Sequence, residues 1–137
     1  MRVQLVAERI TQSVRDEVAA AFGASMLAKV DTSGGMVEAV DCLAAGEFFR
    51  VLVDGVPVLF YVIECRESGG KREAEVTLAH GRADVDLVQV VLPVIERQAA
   101  AAGCSRMRIE TRRAGLMKKL ERAGYARASV ILRKELQ

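Results

Sequence analysis

From residue 48 to residue 78 the chain changes from helical spacing to strand character, and two short turns cut that stretch into three. The segment 48–53 is rich in β-branched and aromatic residues, Asp54-Gly55 is a two-residue hairpin turn, and 56–65 is the return strand. Ser68-Gly69-Gly70 then turns the chain once more, and Ala74, Val76 and Leu78 alternate with Glu73, Glu75 and Thr77. A parallel connection needs about a dozen residues or more, so turns this short dictate an antiparallel meander. An all-helical fold is excluded at once.

The period on either side is helical. Val3, Leu5 and Ala7 mark a first strand; Ser13 is placed to cap a helix carrying Val14, Val18 and Phe22 and stopped by Gly23. Met36, Val40 and Leu43 predict a second helix ending at Gly46. After the meander, Val88, Val91, Leu92, Ile95, Ala99 and Ala102 share one helical stripe closed by Gly103. Pro93 interrupts it, which predicts a kink near Gln89 or a late regular start. Met107, Ile109 and Thr111 then read as a strand, 116–123 as a short helix, and Ala128, Val130 and Leu132 as a final strand. The order is β-α-α-β-β-β-α-β-α-β. It describes a single α/β (α+β) domain over residues 1–137, with one mixed sheet and helices on both faces.

Composition narrows the function classes. Six aromatic residues and no Trp offer little for stacking bases, and a net charge of +2 does not by itself steer polyanions, so nucleic acid is not the expected partner. No apolar run approaches the roughly 18 residues of a membrane span, and MRVQLVAERI is too charged for a signal peptide; a cytoplasmic protein is expected. Cys42, Cys65 and Cys104 lie far apart and there is a single histidine, His80, so no metal site is expected and the cysteines read as reduced, buried small hydrophobes. The charge is unevenly placed. Residues 1–103 hold 10 basic and 15 acidic side chains, a balance of −5, against 10 basic and 3 acidic in residues 104–137, a balance of +7. The basic third is either an anion-binding surface or the solvated faces of a strand and a helix.

The element order, together with "GCSRMRIETRRAGLMKKLERAGY" and "SVILRKEL", resembles the GNAT superfamily of acyl-CoA-dependent N-acetyltransferases. Ala123-Gly124-Tyr125 stands where that family ends its last helix, and Lys134-Glu135-Leu136 where it closes its last strand. The chain also looks like small GNAT-like proteins of bacteriophages. The resemblance implies a fourth and a fifth strand that splay apart to admit the pantetheine arm of acetyl-CoA. It also implies a diphosphate-binding turn, here Ala79-His80-Gly81-Arg82-Ala83, and an amine acceptor that is a small molecule or a protein.

Three of the family's polar residues are missing. Leu78 replaces an Arg or Gln before the turn, Arg113 an Asn after the fifth strand, and Leu120 the Tyr that donates a proton to the departing thiolate; a leucine has no proton to give. Asp84 and Asp86 stand just beyond the turn, where they repel a diphosphate or cap a helix. The candidate base is His80 by intrinsic pKa, or Glu75 through water, although Glu73 and Glu75 alternate as solvent-facing residues. Glu110, between Arg108 and Arg112, is a poor base. Tyr125 replaces the missing acid if it turns toward the slot, and otherwise packs. Two readings follow: an acetyltransferase with a degenerate acetyl-CoA site, or a non-catalytic GNAT-like protein that binds no cofactor and assembles with itself or a partner.

Overall fold

The computed structural model describes all 137 residues. Strand β1 (Val3–Glu8) is followed by helices α1 (Gln12–Ala21) and α2 (Ala24–Val30), then a 3-10 turn (Ala39–Ala44). The meander is β2 (Glu47–Val53), β3 (Val56–Ser68) and β4 (Lys71–Gly81). Helices α3 (Leu87–Val90) and α4 (Leu92–Ala101), strand β5 (Arg106–Arg108) and helix α5 (Ala114–Arg122) complete the order. The five strands form one sheet in sequence order, antiparallel from β1 to β4 and parallel between β4 and β5.

Each sheet face carries its own core. On one side Val14, Val18 and Phe22 of α1 and Leu43 of the 3-10 turn cover Phe48, Phe60 and Val62. On the other, Val91, Ile95 and Ala99 cover Val51, Val53, Tyr61, Ile63 and Ala74. The Tyr61 side chain is fully buried, and its hydroxyl donates to Gln98 Oε1 at 2.6 Å, so the apolar strand carries the one polar contact that fixes α4 on the sheet. On the first face Arg50 joins β2 to Glu8 of β1 at 2.5 Å and to Glu17 of α1 at 2.7 Å.

The local signals behave as their chemistry demands. Asp54 (φ 51°) and Gly55 (φ 81°) both adopt the left-handed conformation of a tight hairpin turn. Pro93 enters α4 within its first turn, where a missing N–H costs nothing, so the apolar stripe is continuous although the helix restarts at Val91. This is the late regular start.

Several expectations are corrected. Thr11, not Ser13, caps α1, its hydroxyl accepting from the Val14 N–H at 3.3 Å. The second helix is Ala24–Val30, and the segment around Val40 and Leu43 makes only the 3-10 turn, because Asp31 takes the N–H groups of Ser33 and Gly35 and holds the intervening loop. The strand expected around Ala128, Val130 and Leu132 is absent. Residues 126–137 make no backbone hydrogen bond, and Val130 (85% exposed) and Leu132 (89%) find no sheet to cover them. Cys65 is exposed rather than buried.

Candidate functional site

β4 is eleven residues long, but β5 pairs with it only along Glu73–Glu75, opposite Arg106–Arg108. β5 ends at Arg108, and β4 runs on to Gly81 with no partner on that edge. The chain after β5 is held instead by α2 and the loop that follows it: the Arg112 guanidinium donates to the carbonyls of Ala28 and Asp31, and Thr32 Oγ1 donates to Glu110 at 3.0 Å. The expected fork, between a strand ending at the His80-Gly81 turn and a strand beginning at Arg106, takes the form of a short β5 whose continuation leaves the edge of β4.

The open end of the fork leads to a shallow, solvent-open cleft of about 520 Å³, here called the cavity. Gly81, Arg82, Ala83 and the start of α3 line one side; Arg113, Gly115, Leu116 and Lys119, leading into and along α5, line the other. Three cations thus face one carboxylate, that of Asp86. Asp84 does not line the cavity. Asp86 caps α3, accepting from the N–H groups of Val88 at 3.0 Å and Gln89 at 3.3 Å, and lies 3.9 Å from Lys119 Nζ. Both roles drain its repulsion of an anion. They also occupy the helix amides, leaving the guanidinium and ammonium groups as the cavity's charged donors.

Gly81 is required by packing. A Cβ there would stand 2.2 Å from the Val58 carbonyl oxygen and 2.6 Å from the Leu59 Cα, because β3 and β4 approach closely where Arg82 N–H bonds Val58 O. A glycine in this turn is thus explained before any phosphate is considered.

The alternation along β4 breaks at Thr77. Val62 pairs with Leu78 but Ile63 pairs with Val76, so Thr77 is an extra, bulged residue and its hydroxyl turns to the Val62 carbonyl at 3.4 Å. Ala74 and Val76 therefore face α4, whereas Leu78 joins the α1 face. A strict period of two places all three together; the bulge makes that reading wrong by one residue.

The sequence-derived site residues separate into three places. Glu75 is the last residue of the β4–β5 ladder and stands where the fork opens. It is buried, at 7% exposure, rather than solvent-facing, and it accepts from Arg66 at 2.5 Å with Arg108 3.8 Å away. Burial pushes its carboxyl above the usual range, against the pull of Arg66 and Arg108. His80 lies five residues farther, roughly 16 Å along the strand. Its ring stacks edge-on to Phe22 and tilts over Phe60, both 5.8 Å away. Tyr125 is outside the cavity lining; its hydroxyl donates to Glu96 of α4 at 2.8 Å, and burial and that carboxylate push the phenol up. Ala79 is exposed where β4 has lost its neighbour. Glu110 is held below the usual carboxylate range by Arg108, as expected of a poor base.

Arg113 and Lys119 line the cavity, although periodicity alone assigns them to solvent. The available signal is the spacing of Gly115 and Lys119, four residues apart, which puts an opening and a charge on one helix face.

No family model matches the chain, and no curated protein sequence matches it. Solved structures do. A ribosomal-protein-alanine N-acetyltransferase from Brucella melitensis biovar Abortus 2308 superposes with a TM-score of 0.60 at 16% identity, covering 100% of this chain and 99% of that one. A possible acetyltransferase from Clostridium difficile 630 reaches a TM-score of 0.64 at 11% identity, over 98% of this chain and 97% of the other. AAC(6')-Iy, in complex with the bisubstrate analog CoA-S-monomethyl-acetylneamine, reaches 0.61 at 13% identity, over 100% and 99%. The chain has the fold of the GNAT acetyltransferases, along its whole length.

Proposed function

We propose that the chain is an acyl-CoA-dependent N-acetyltransferase with an altered site. The single observation that carries this reading is the fork that opens after Glu75 onto a cavity bearing Arg82, Arg113 and Lys119. The cationic lining fits the phosphates of acetyl-CoA, and the gap beside residues 76–81 leaves unpaired strand edge for the pantetheine amides. The donor supplies an acetyl group activated as a thioester. Glu75 accepts the proton of the acceptor amine, its burial bringing a carboxylate closer to the pKa a base needs near neutral pH. His80 is a second proton acceptor, at the mouth of the fork. Leu120 is buried and donates nothing, so the departing thiolate takes its proton from water. Tyr125, tied to Glu96, positions α5 and with it Lys119.

Acetyl-CoA at 100 times its dissociation constant is expected to add about 2.7 kcal/mol to stability, read as a rise in Tm. Arg113→Ala with Lys119→Ala should abolish most of that rise. Glu75→Gln should leave it in place while slowing acetyl transfer to an amine panel, followed by mass spectrometry, by roughly 100-fold or more. A folded protein whose Tm ignores both CoA and acetyl-CoA refutes the proposal.

One observation favours a second reading, self-assembly of the same fold. Val130, Ile131, Leu132 and Leu136 are all more than half exposed, on a segment without backbone partners, and β5 is a free sheet edge.

A further inference from the structure

The fold divides the three cysteines into a pair and a bystander. Cys42 is half-buried in the 3-10 turn, apart from the others. Cys65 and Cys104, 39 residues apart in sequence, stand with their Sγ atoms 3.5 Å apart. The reasons are local. Cys65 follows Ile63 on the α4 face of β3, and its cross-strand partner is Ala74, whose small, fully buried side chain leaves room above β4. Cys104 is delivered by the end of α4: its N–H donates to Ala99 O at 3.0 Å, and the next N–H, of Ser105, donates to Arg72 O at 2.9 Å.

Arg72 completes the cluster. It shares the α4 face of β4 with Ala74 and runs beside Gly103, and its Nε–H is buried without an acceptor. A donor left without a partner inside a folded protein calls for one, and the Cys65 thiol, on which the Arg72 charge acts, can accept from it on deprotonation. Burial and the neighbouring thiol raise the Cys65 pKa, Arg72 opposing them, so the thiolate gains most as pH rises toward the alkaline range.

We propose that Cys65 and Cys104 are a dithiol site that closes to a disulfide by exchange with a low-molecular-weight disulfide. The exposed Cys65 thiolate attacks one sulfur of the small disulfide and expels the other as a thiolate. The Cys104 thiolate then attacks Cys65 Sγ and expels the second. Two cysteine thiols are oxidised, one small disulfide is reduced to two thiols, and the two cysteine protons end on those leaving groups. The new bond ties β3 to the start of β5 across β4, at the closed end of the fork and away from the cavity. It therefore stands independently of the acetyltransfer reading.

The test uses the full chain, glutathione disulfide as the probe, and denaturing alkylation followed by mass spectrometry. The expected product has lost two hydrogens, about 2 Da, keeps one alkylatable cysteine, Cys42, and yields a Cys65–Cys104 cross-linked peptide that dithiothreitol reverses. Its Tm should rise by roughly 7–14 °C, as for a bridge closing a loop of this length in a chain of this size. Cys104→Ser should retain glutathione on Cys65, because no thiol remains to displace it. Three alkylatable cysteines after prolonged treatment at pH 8.5, a stable glutathione adduct on the wild-type chain, or disulfide-linked dimers would each overturn the proposal. The wild-type result decides the matter even if a variant misfolds.

Discussion

Glu75 shows how one residue's role depends on what covers it. In an alternating strand it belongs with Glu73 and faces solvent, yet the fold buries it at the point where β4 loses β5. Its pKa is raised above the ordinary 4.5, chiefly by burial. For a carboxyl with a raised folded-state pKa, the stability it contributes is present below the ordinary value and is lost as pH rises through the folded one. Glu17, Asp31 and Glu110 run the opposite way, since hydrogen bonds lower their pKa values. Glu75→Gln removes only the first dependence. The Tm of the variant minus that of the wild type should therefore grow as pH rises from 4.5 into the range just above and then level off. A flat difference would show that Glu75 ionises as freely in the folded chain as in the unfolded one.

At the scale of elements, α3 and α5 meet across the cavity through Asp86 and Lys119, and a single carboxylate serves two opposed purposes. It caps a four-residue helix, and it is the one negative charge among three positive ones. Asp86→Ala should cost about 1 kcal/mol of stability through the lost cap. The same change frees two amides and removes the repulsion, so affinity for CoA should increase. Thermal unfolding and titration calorimetry on the same variant should thus move in opposite directions; weaker CoA binding by a folded variant contradicts the assignment of the cavity to phosphates. The elements themselves were readable in different degrees. The meander and α4 were legible because their periods and turns are local, and Pro93 declared its own position. The 3-10 turn was misread as a helix because Met36, Val40 and Leu43 keep helical spacing, while the Asp31 side chain claims the loop amides before a helix can form.

Across the whole molecule, the charge asymmetry of the sequence is partly cancelled by folding. Arg106 pairs with Glu73 at 2.6 Å and Arg108 lies 3.8 Å from Glu75, so the basic third closes in part on the acidic sheet. Val130, Ile131, Leu132 and Leu136 remain uncovered near the C-terminus, and β5 is an edge of the sheet. If this surface joins two copies, light scattering should give more than the mass of one chain. Val130→Lys with Leu132→Lys should then restore that of one chain with Tm nearly unchanged, because in the isolated fold neither side chain is covered. A single-chain mass for the wild type from low salt to about 1 M would dispose of assembly through this segment.

The sequence alone determined the antiparallel meander, the two-sided sheet and a break in the helical stripe at Pro93, since each rests on a period, a turn length or a backbone constraint spanning a few residues. Only the tertiary structure decided that β4 runs on without β5 after Glu75, that Thr77 bulges and sends Leu78 to the other face, that Arg113 and Lys119 share a cavity with Gly81, and that Cys65 meets Cys104. These features join residues that are distant along the chain or turn on a slip of one position in the pairing. Such contacts follow from how packed elements compete for the same neighbours, which no local pattern encodes.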